Sequence, residues 1–191
     1  DELAARRGWL IIDEAFADVS PWASVDSLVG QPGLLVLRSF GKFFGLAGLR
    51  LGFAAGPSEL IEMVNTRLGP WAVSGPAIEI GIRALSDTGW IDATRIALAE
   101  KRARLDALLR HVGFDIIGGT DLFRLTAHLD APSIFQHLGK CGIFTREFGE
   151  RPTWLRFGIP GSDADFDRLR AALSEVSGAV DYMTIGAHDG S

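Results

Sequence analysis

The sequence predicts an α/β protein in two parts, a sheet-containing domain over residues 1–90 and a smaller α+β domain over residues 91–191. Three observations carry this reading. Trp9-Leu10-Ile11-Ile12 and Leu34-Leu35-Val36-Leu37 are continuous apolar runs, the mark of parallel strands buried on both faces. The first run ends on Asp13-Glu14, which places acids at a strand's carboxyl end. Near Asp87-Thr88-Gly89 the pattern changes, and a long amphipathic helix opens a second set of strands and helices.

Trp9 to Ile12 suits a central parallel strand, because functional groups in open α/β sheets gather at the carboxyl ends. From this segment alone, Asp13 is equally an acid reaching a ligand and a helix cap or turn residue. Ser20-Pro21-Trp22 and Ser24 to Gly33 read as a loop and a short exposed helix, with Gln31-Pro32-Gly33 as the turn before the second strand. Leu51 to Gly56 is a third short strand whose small residues let other backbone approach closely. Pro57-Ser58-Glu59 starts a helix with Leu60, Ile61, Val64 and Leu68 on one face, and Gly69-Pro70 stops it. After a structured connection around Trp71, a second helix runs from Pro76 to about Leu85.

In the second part, Asp92 is placed to cap a long helix in which Leu98, Leu105, Leu108, Leu109 and Val112 form one stripe. Phe114 to Ile117 and Leu122 to Leu125 read as strands. Gly118-Gly119 between them fits a hairpin turn better than a phosphate loop, since no helix follows. Ala131 to Leu138 is a short helix, and Ile143 to Arg146 and Trp154 to Ile159 are two more strands. Ser162 and Asp165 resemble a capping arrangement for a last helix, with Phe166, Leu169, Leu173 and Val176 inward and Gly178 beyond its end. The tail from Tyr182 is expected to be loosely ordered.

Composition narrows the function classes. Hydrophobic content of 47% with 23% charged residues fits a soluble globular protein with a sizeable core. The net charge of −5 argues against general nucleic-acid binding. No apolar run is long enough to span a bilayer, and the start shows no signal-peptide pattern. The single cysteine, Cys141, excludes an internal disulfide and fits a reducing cytoplasm. It reads as a small semi-buried side chain rather than a nucleophile. His111, His128, His137 and His188 are scattered and expected at the surface rather than as ligands, and no metal-ligand spacing is found. Asp1 to Arg7 reads as the last turns of a helix, and without an initiator Met the chain is expected to be a piece of a longer protein.

The chemistry concentrates in Arg38 to Phe53, where Ser39, Lys42 and Arg50 are separated by glycines directly after the second strand. A lysine set among phenylalanines is expected to lose hydration, which favours the neutral amine that a Schiff base requires. The order strand–Asp13, strand–Ser39-x-x-Lys42, Arg50, and Arg156 on a late strand resembles the aspartate-aminotransferase-like family of pyridoxal-phosphate enzymes, fold type I.

The resemblance implies that residues 1–90 are the C-terminal part of the large domain that binds pyridoxal 5'-phosphate, and residues 91–191 the small C-terminal domain. It implies that Lys42 forms the Schiff base and then serves as general acid and base, while Asp13 pairs with the pyridinium nitrogen. Ser39 and Arg50 would hold the cofactor phosphate, and Arg156 the substrate carboxylate. Arg146 is equally a contact for a substrate phosphate and an exposed strand arginine. In many members a tyrosine three residues after the aspartate bonds the ring oxygen; Phe16 stands there and cannot.

Asp13 to Phe16, Ser39 to Phe53, Pro70 to Pro76, Gly118 to Arg124 and Trp154 to Pro160 are similar to the threonine-phosphate decarboxylase branch of cobalamin biosynthesis. That branch implies a cytoplasmic homodimer that decarboxylates L-threonine O-3-phosphate. A histidinol-phosphate-type aminotransferase and a non-catalytic, aminotransferase-like sensing domain are the rival readings. Family members are roughly twice this length, so the 191 residues alone are expected to have little or no activity.

Overall fold

The structure, a computed structural model, describes the backbone of residues 8–185 and the side chains of residues 8–176. The expected helix end over Asp1 to Arg7, together with His188, lies outside the described residues. The chain divides into two compact units, Asp1–Asp92 and Ala93–Ser191.

In the first unit, β1 (Leu10–Asp13), β2 (Leu34–Ser39) and β3 (Gly52–Ala55) form one sheet in that order. Strands β1 and β2 are parallel, with Asp13 opposite Leu37; β2 and β3 are antiparallel, with Ser39 opposite Gly52. Only β2 sends its apolar residues fully inward, through Leu34 and Val36. Strand β1 is not central, as its composition predicts, but an edge strand of the described sheet, with Leu10 and Ile11 exposed. Its apolar run has a strand on one side only among the described residues. Close approach explains the small residues around β3: a Cβ on Gly56 would lie 2.9 Å from the Leu34 carbonyl oxygen.

Helix α1 (Ser58–Leu68) half-buries Leu60, Ile61 and Val64, while Leu68 in its last turn is exposed. Helix α2 (Gly75–Ser86) is capped by Ser74, whose Oγ accepts from the Ala77 amide at 3.3 Å, with Pro76 in its first turn. A Cβ on buried Gly81 would meet the Leu51 side chain at 2.6 Å, so glycine sets how closely α2 approaches that segment. Helix α3 (Thr88–His111) starts before Asp92. Asp87 is the residue that caps it, accepting from the Trp90 amide at 3.0 Å.

In the second unit, β4 (Asp115–Thr120), β5 (Phe123–Ala127), β6 (Arg146–Glu147) and β7 (Trp154–Gly158) form an antiparallel sheet ordered β4-β5-β7-β6. Helices α4 (Ala131–Lys140) and α5 (Asp163–Ile185) close one core with α3 around Leu105, Leu109, Leu138, Leu155, Phe157, Phe166 and Leu173. Thr126, fully buried, donates to the Leu155 carbonyl, so its hydroxyl carries no desolvation penalty.

Three expectations change here. Gly118 and Gly119 are inside β4, paired with Leu125 and Arg124 just past a bulge at Ile117, and the turn is Asp121-Leu122. Ile143 to Thr145 is not strand; pairing with β7 begins at Arg146. Helix α5 runs through Gly178 and Tyr182 to Ile185, because one glycine in a helix interior costs only about 1 kcal/mol. Its start is the predicted cap: Ser162 Oγ and Asp165 exchange reciprocal hydrogen bonds.

Candidate active site

Parallel pairing of β1 with β2 brings Asp13 and Ser39 to the same end of the sheet, and antiparallel pairing of β2 with β3 returns Arg50 there. That is the end at which open α/β sheets present ligand-binding groups. Asp13 is exposed, and its Oδ1 accepts from the Ala15 amide at 2.9 Å, a turn contact that still leaves the other carboxylate oxygen outward. Both readings of Asp13, ligand acid and turn residue, are therefore compatible with one geometry. Ser39 Oγ accepts from the Gly41 amide at 3.1 Å, which tightens the start of the loop. Arg50 adopts a left-handed backbone, φ 53°, at a cost of about 1–2 kcal/mol for a residue with a Cβ. Its exposed guanidinium donates to the Ala47 carbonyl at 3.3 Å and makes no ion pair among the described residues. Strained backbone of this kind collects at functional loops.

Lys42 is exposed, not set among phenylalanines as its sequence neighbours suggest. Phe40 and Phe43 turn inward, 2% and 5% exposed; Phe40 stacks on Phe44 and Phe44 on Trp90, while Phe43 meets Phe44 and Trp90 edge-on. The ammonium points the other way, 5.6 Å from the centre of the Phe16 ring. The expected loss of hydration is thus not supplied by the described residues. A cavity of about 240 Å³ nearby is lined by Asp18, Arg38, Ser39, Phe40, Phe44, Phe53 and Leu85. It takes in Ser39, but not Asp13, Lys42 or Arg50, which share the same end of the sheet outside this cavity.

Sequence reading missed an ion network behind them. Buried Glu14 accepts from Ser24 Oγ at 2.8 Å and from the Val25 amide at 2.6 Å. Arg38 reaches Glu14 at 3.5 Å and buried Asp18 at 2.5 Å. Two acids and one cation tie the loop after β1 to the end of β2, holding the strand ends that carry Asp13 and Ser39. The available signal was the acid next to Asp13, but nothing in the sequence says which of the two adjacent acids turns inward.

The second unit holds Arg146 and Arg156. They are directly opposite across the β6–β7 ladder, on one face of the sheet. Arg156 is half-buried over the Phe123 ring at 5.1 Å; Arg146 is exposed over the Phe148 ring at 5.3 Å. Neither has a carboxylate partner among the described residues. Opposed like charges destabilise a strand pair unless an anion lies between or beside them. By contrast Arg124 is spent on structure: it bonds buried Asp106 at 2.6 Å, and Arg102 joins Asp106 to Asp121.

The donor set fits a phosphorylated aldehyde cofactor. Lys42 offers an amine and Arg50, on strained backbone, a guanidinium, neither with an ion pair among the described residues; Ser39 offers a hydroxyl, and Asp13 an exposed carboxylate with only Oδ1 in a turn contact.

The chain is similar to known proteins in sequence and in fold. The sequence profile of aminotransferase class I and II matches residues 1–173. A threonine-phosphate decarboxylase of Pseudomonas aeruginosa is 44% identical over 171 residues, which make up 90% of this chain and 51% of that protein. A second, from Sinorhizobium sp., is 45% identical over 179 residues, 91% of this chain and 53% of its own length. Among solved structures, a histidinol-phosphate aminotransferase from Sinorhizobium meliloti in complex with pyridoxal-5'-phosphate superposes with a TM-score of 0.76 at 24% identity. That match covers 90% of this chain and 49% of the other, and shows likeness of fold. The chain spans about half the length of the curated relatives it matches.

Proposed function

This chain belongs to the class I and II aminotransferase family, whose cofactor is pyridoxal 5'-phosphate, and on that premise we propose that it serves the decarboxylation of L-threonine O-3-phosphate to (R)-1-amino-2-propanol O-2-phosphate. The observation that carries the reading is the likeness, at 44–45% identity, to two threonine-phosphate decarboxylases. The opposed pair Arg146 and Arg156 supports it, because this substrate brings two anionic groups, a carboxylate and a phosphate.

In this proposal Lys42 holds the cofactor through its amine and later returns a proton to the substrate Cα. Asp13 keeps a proton on the ring nitrogen, and Arg50 and Ser39 take the phosphate. When bound, the pyridinium ring accepts the electron pair released at Cα. Arg156 grips the substrate carboxylate and sets which bond at Cα stands perpendicular to that ring; Arg146 takes the substrate phosphate. Holding the Cα–carboxylate bond perpendicular releases CO2, whereas holding Cα–H there gives transamination. The active protein in this reading is a homodimer of the full-length chain in the cytoplasm.

The test is a paired assay on the full-length protein. With L-threonine O-3-phosphate it is expected to release CO2 and aminopropanol phosphate without any keto acid. Histidinol phosphate with 2-oxoglutarate is expected to yield no glutamate. Glutamate in the second assay and no CO2 in the first would replace the decarboxylase by an aminotransferase.

A further inference from the structure

We infer that His137, Cys141 and Glu175 form a site for a borderline divalent cation of the zinc class, joining the end of α4 to α5 within the second unit. His137 and Cys141 are one helical turn apart, so their side chains lie on one face at the end of α4, and Glu175 faces them from α5. His137, expected at the surface, is instead half-buried with its ring against the thiol. The ligand atoms lie within 4.8 Å of one another.

The finer geometry matches a tetrahedral ion. His137 Nε2 is 3.6 Å from Cys141 Sγ and 3.5 Å from Glu175 Oε2. A zinc ion with Zn–S of about 2.3 Å and Zn–N or Zn–O of about 2.0–2.2 Å sets ligand-to-ligand edges of about 3.4–3.6 Å. Two of the three edges are therefore already at coordination length, and only the sulfur-to-carboxylate edge has to close. The Ala172 carbonyl is 2.9 Å from the same ring nitrogen. Three electron-rich groups thus converge on one imidazole nitrogen, which carries at most one proton and can satisfy one of them well. A cation in place of that proton satisfies the thiolate and carboxylate together, after the nitrogen gives up its bond to Ala172. One nitrogen, one sulfur and one oxygen form a donor set for zinc or cobalt rather than for magnesium or calcium. A fourth position is left for water.

The only cysteine in the sequence makes the test clean. Cobalt(II) added alone to the 191-residue chain is expected to give a thiolate-to-metal charge-transfer band, which can come from Cys141 and nowhere else. One equivalent of zinc should bleach that band, and zinc should slow alkylation of Cys141 in the unmutated chain by about tenfold or more. C141S is expected to abolish the band, and H137Q and E175Q to weaken metal affinity by about tenfold or more each, with helicity by circular dichroism unchanged. No band with cobalt and no zinc protection of Cys141 would overturn the site. Unaltered affinity in H137Q and E175Q would overturn it as well. The alkylation readout needs no variant to fold.

Discussion

Phe16 and Lys42 meet beside the loop that follows β2. The aromatic stands where the family resemblance leads one to look for a phenol, and its face, not an oxygen, meets the lysine. An exposed cation over a half-buried ring gains about 0.5–1 kcal/mol, enough to bias the rotamer of Lys42 and too little to bury its charge. That Lys42 stands in a chemically loaded loop was legible in the spacing to Ser39 and Arg50. Its surroundings were not, because neighbours in sequence are not neighbours in space: Phe40 and Phe43 turn into the core and leave the amine outside. The Arg38 network was equally hidden, since it joins side chains from three separate segments. The three lysines differ in a testable way. Lys101 donates to the Gly161 carbonyl at 2.6 Å, while Lys42 has no such bond among the described residues. Pyridoxal phosphate followed by borohydride is therefore expected to label Lys42 ahead of Lys101 and Lys140, read by peptide mass spectrometry, with no label at that position in Lys42→Ala. Equal labelling of all three would show that the loop confers no cofactor preference.

Among the elements, β4 shows how a sequence signal can be right about glycine and wrong about its use. Two adjacent glycines point to a turn, yet the hairpin turns at Asp121-Leu122, where Thr120 Oγ1 accepts from the Leu122 amide at 3.1 Å. The glycines lie in the strand instead, between the bulge at Ile117 and the turn. Gly119 has φ +132°, and a Cβ there would lie 2.3 Å from the Phe123 carbonyl oxygen, whereas nothing lies within 4 Å of a Cβ on Gly118. The local pattern could not reveal this, because the crowding atom belongs to the facing strand. Gly119→Ala is expected to destabilise the second unit by about 2–4 kcal/mol, from backbone strain plus overpacking. Gly118→Ala is expected to cost under about 1 kcal/mol, the range of a modest surface change. Denaturant unfolding followed by circular dichroism measures both, and equal costs would mean that the strand tolerates a side chain at position 119. The capping of α5 by Ser162 and Asp165 was legible for the opposite reason, since every atom involved is within four residues.

At the scale of the whole molecule the two units are unequally finished. The mixed α/β architecture was legible because apolar runs and amphipathic stripes report which residues leave water. They do not report what covers them, which is why β1 reads as central and stands at an edge. Among the described residues, the second unit closes twelve buried apolar residues into one cluster drawn from strands and helix stripes together. In the first unit, Trp9, Ile11, Trp22, Met63 and Trp71 are each more than half exposed, and α1 buries no residue fully. Each large side chain left in water forgoes about 1.5–3 kcal/mol of burial, so the first unit has far less to set against its chain entropy. Local opening should follow that imbalance. In the 191-residue chain, the amides of β5 and β7 are expected to resist hydrogen exchange by at least about a hundredfold longer than those of β1 and β3, the ratio set by roughly 3 kcal/mol of difference. Exchange read by mass spectrometry on peptides from each strand decides the matter. Protection of β1 equal to that of β7 would mean that the sheet of the first unit draws stability from something other than its own buried apolar surface.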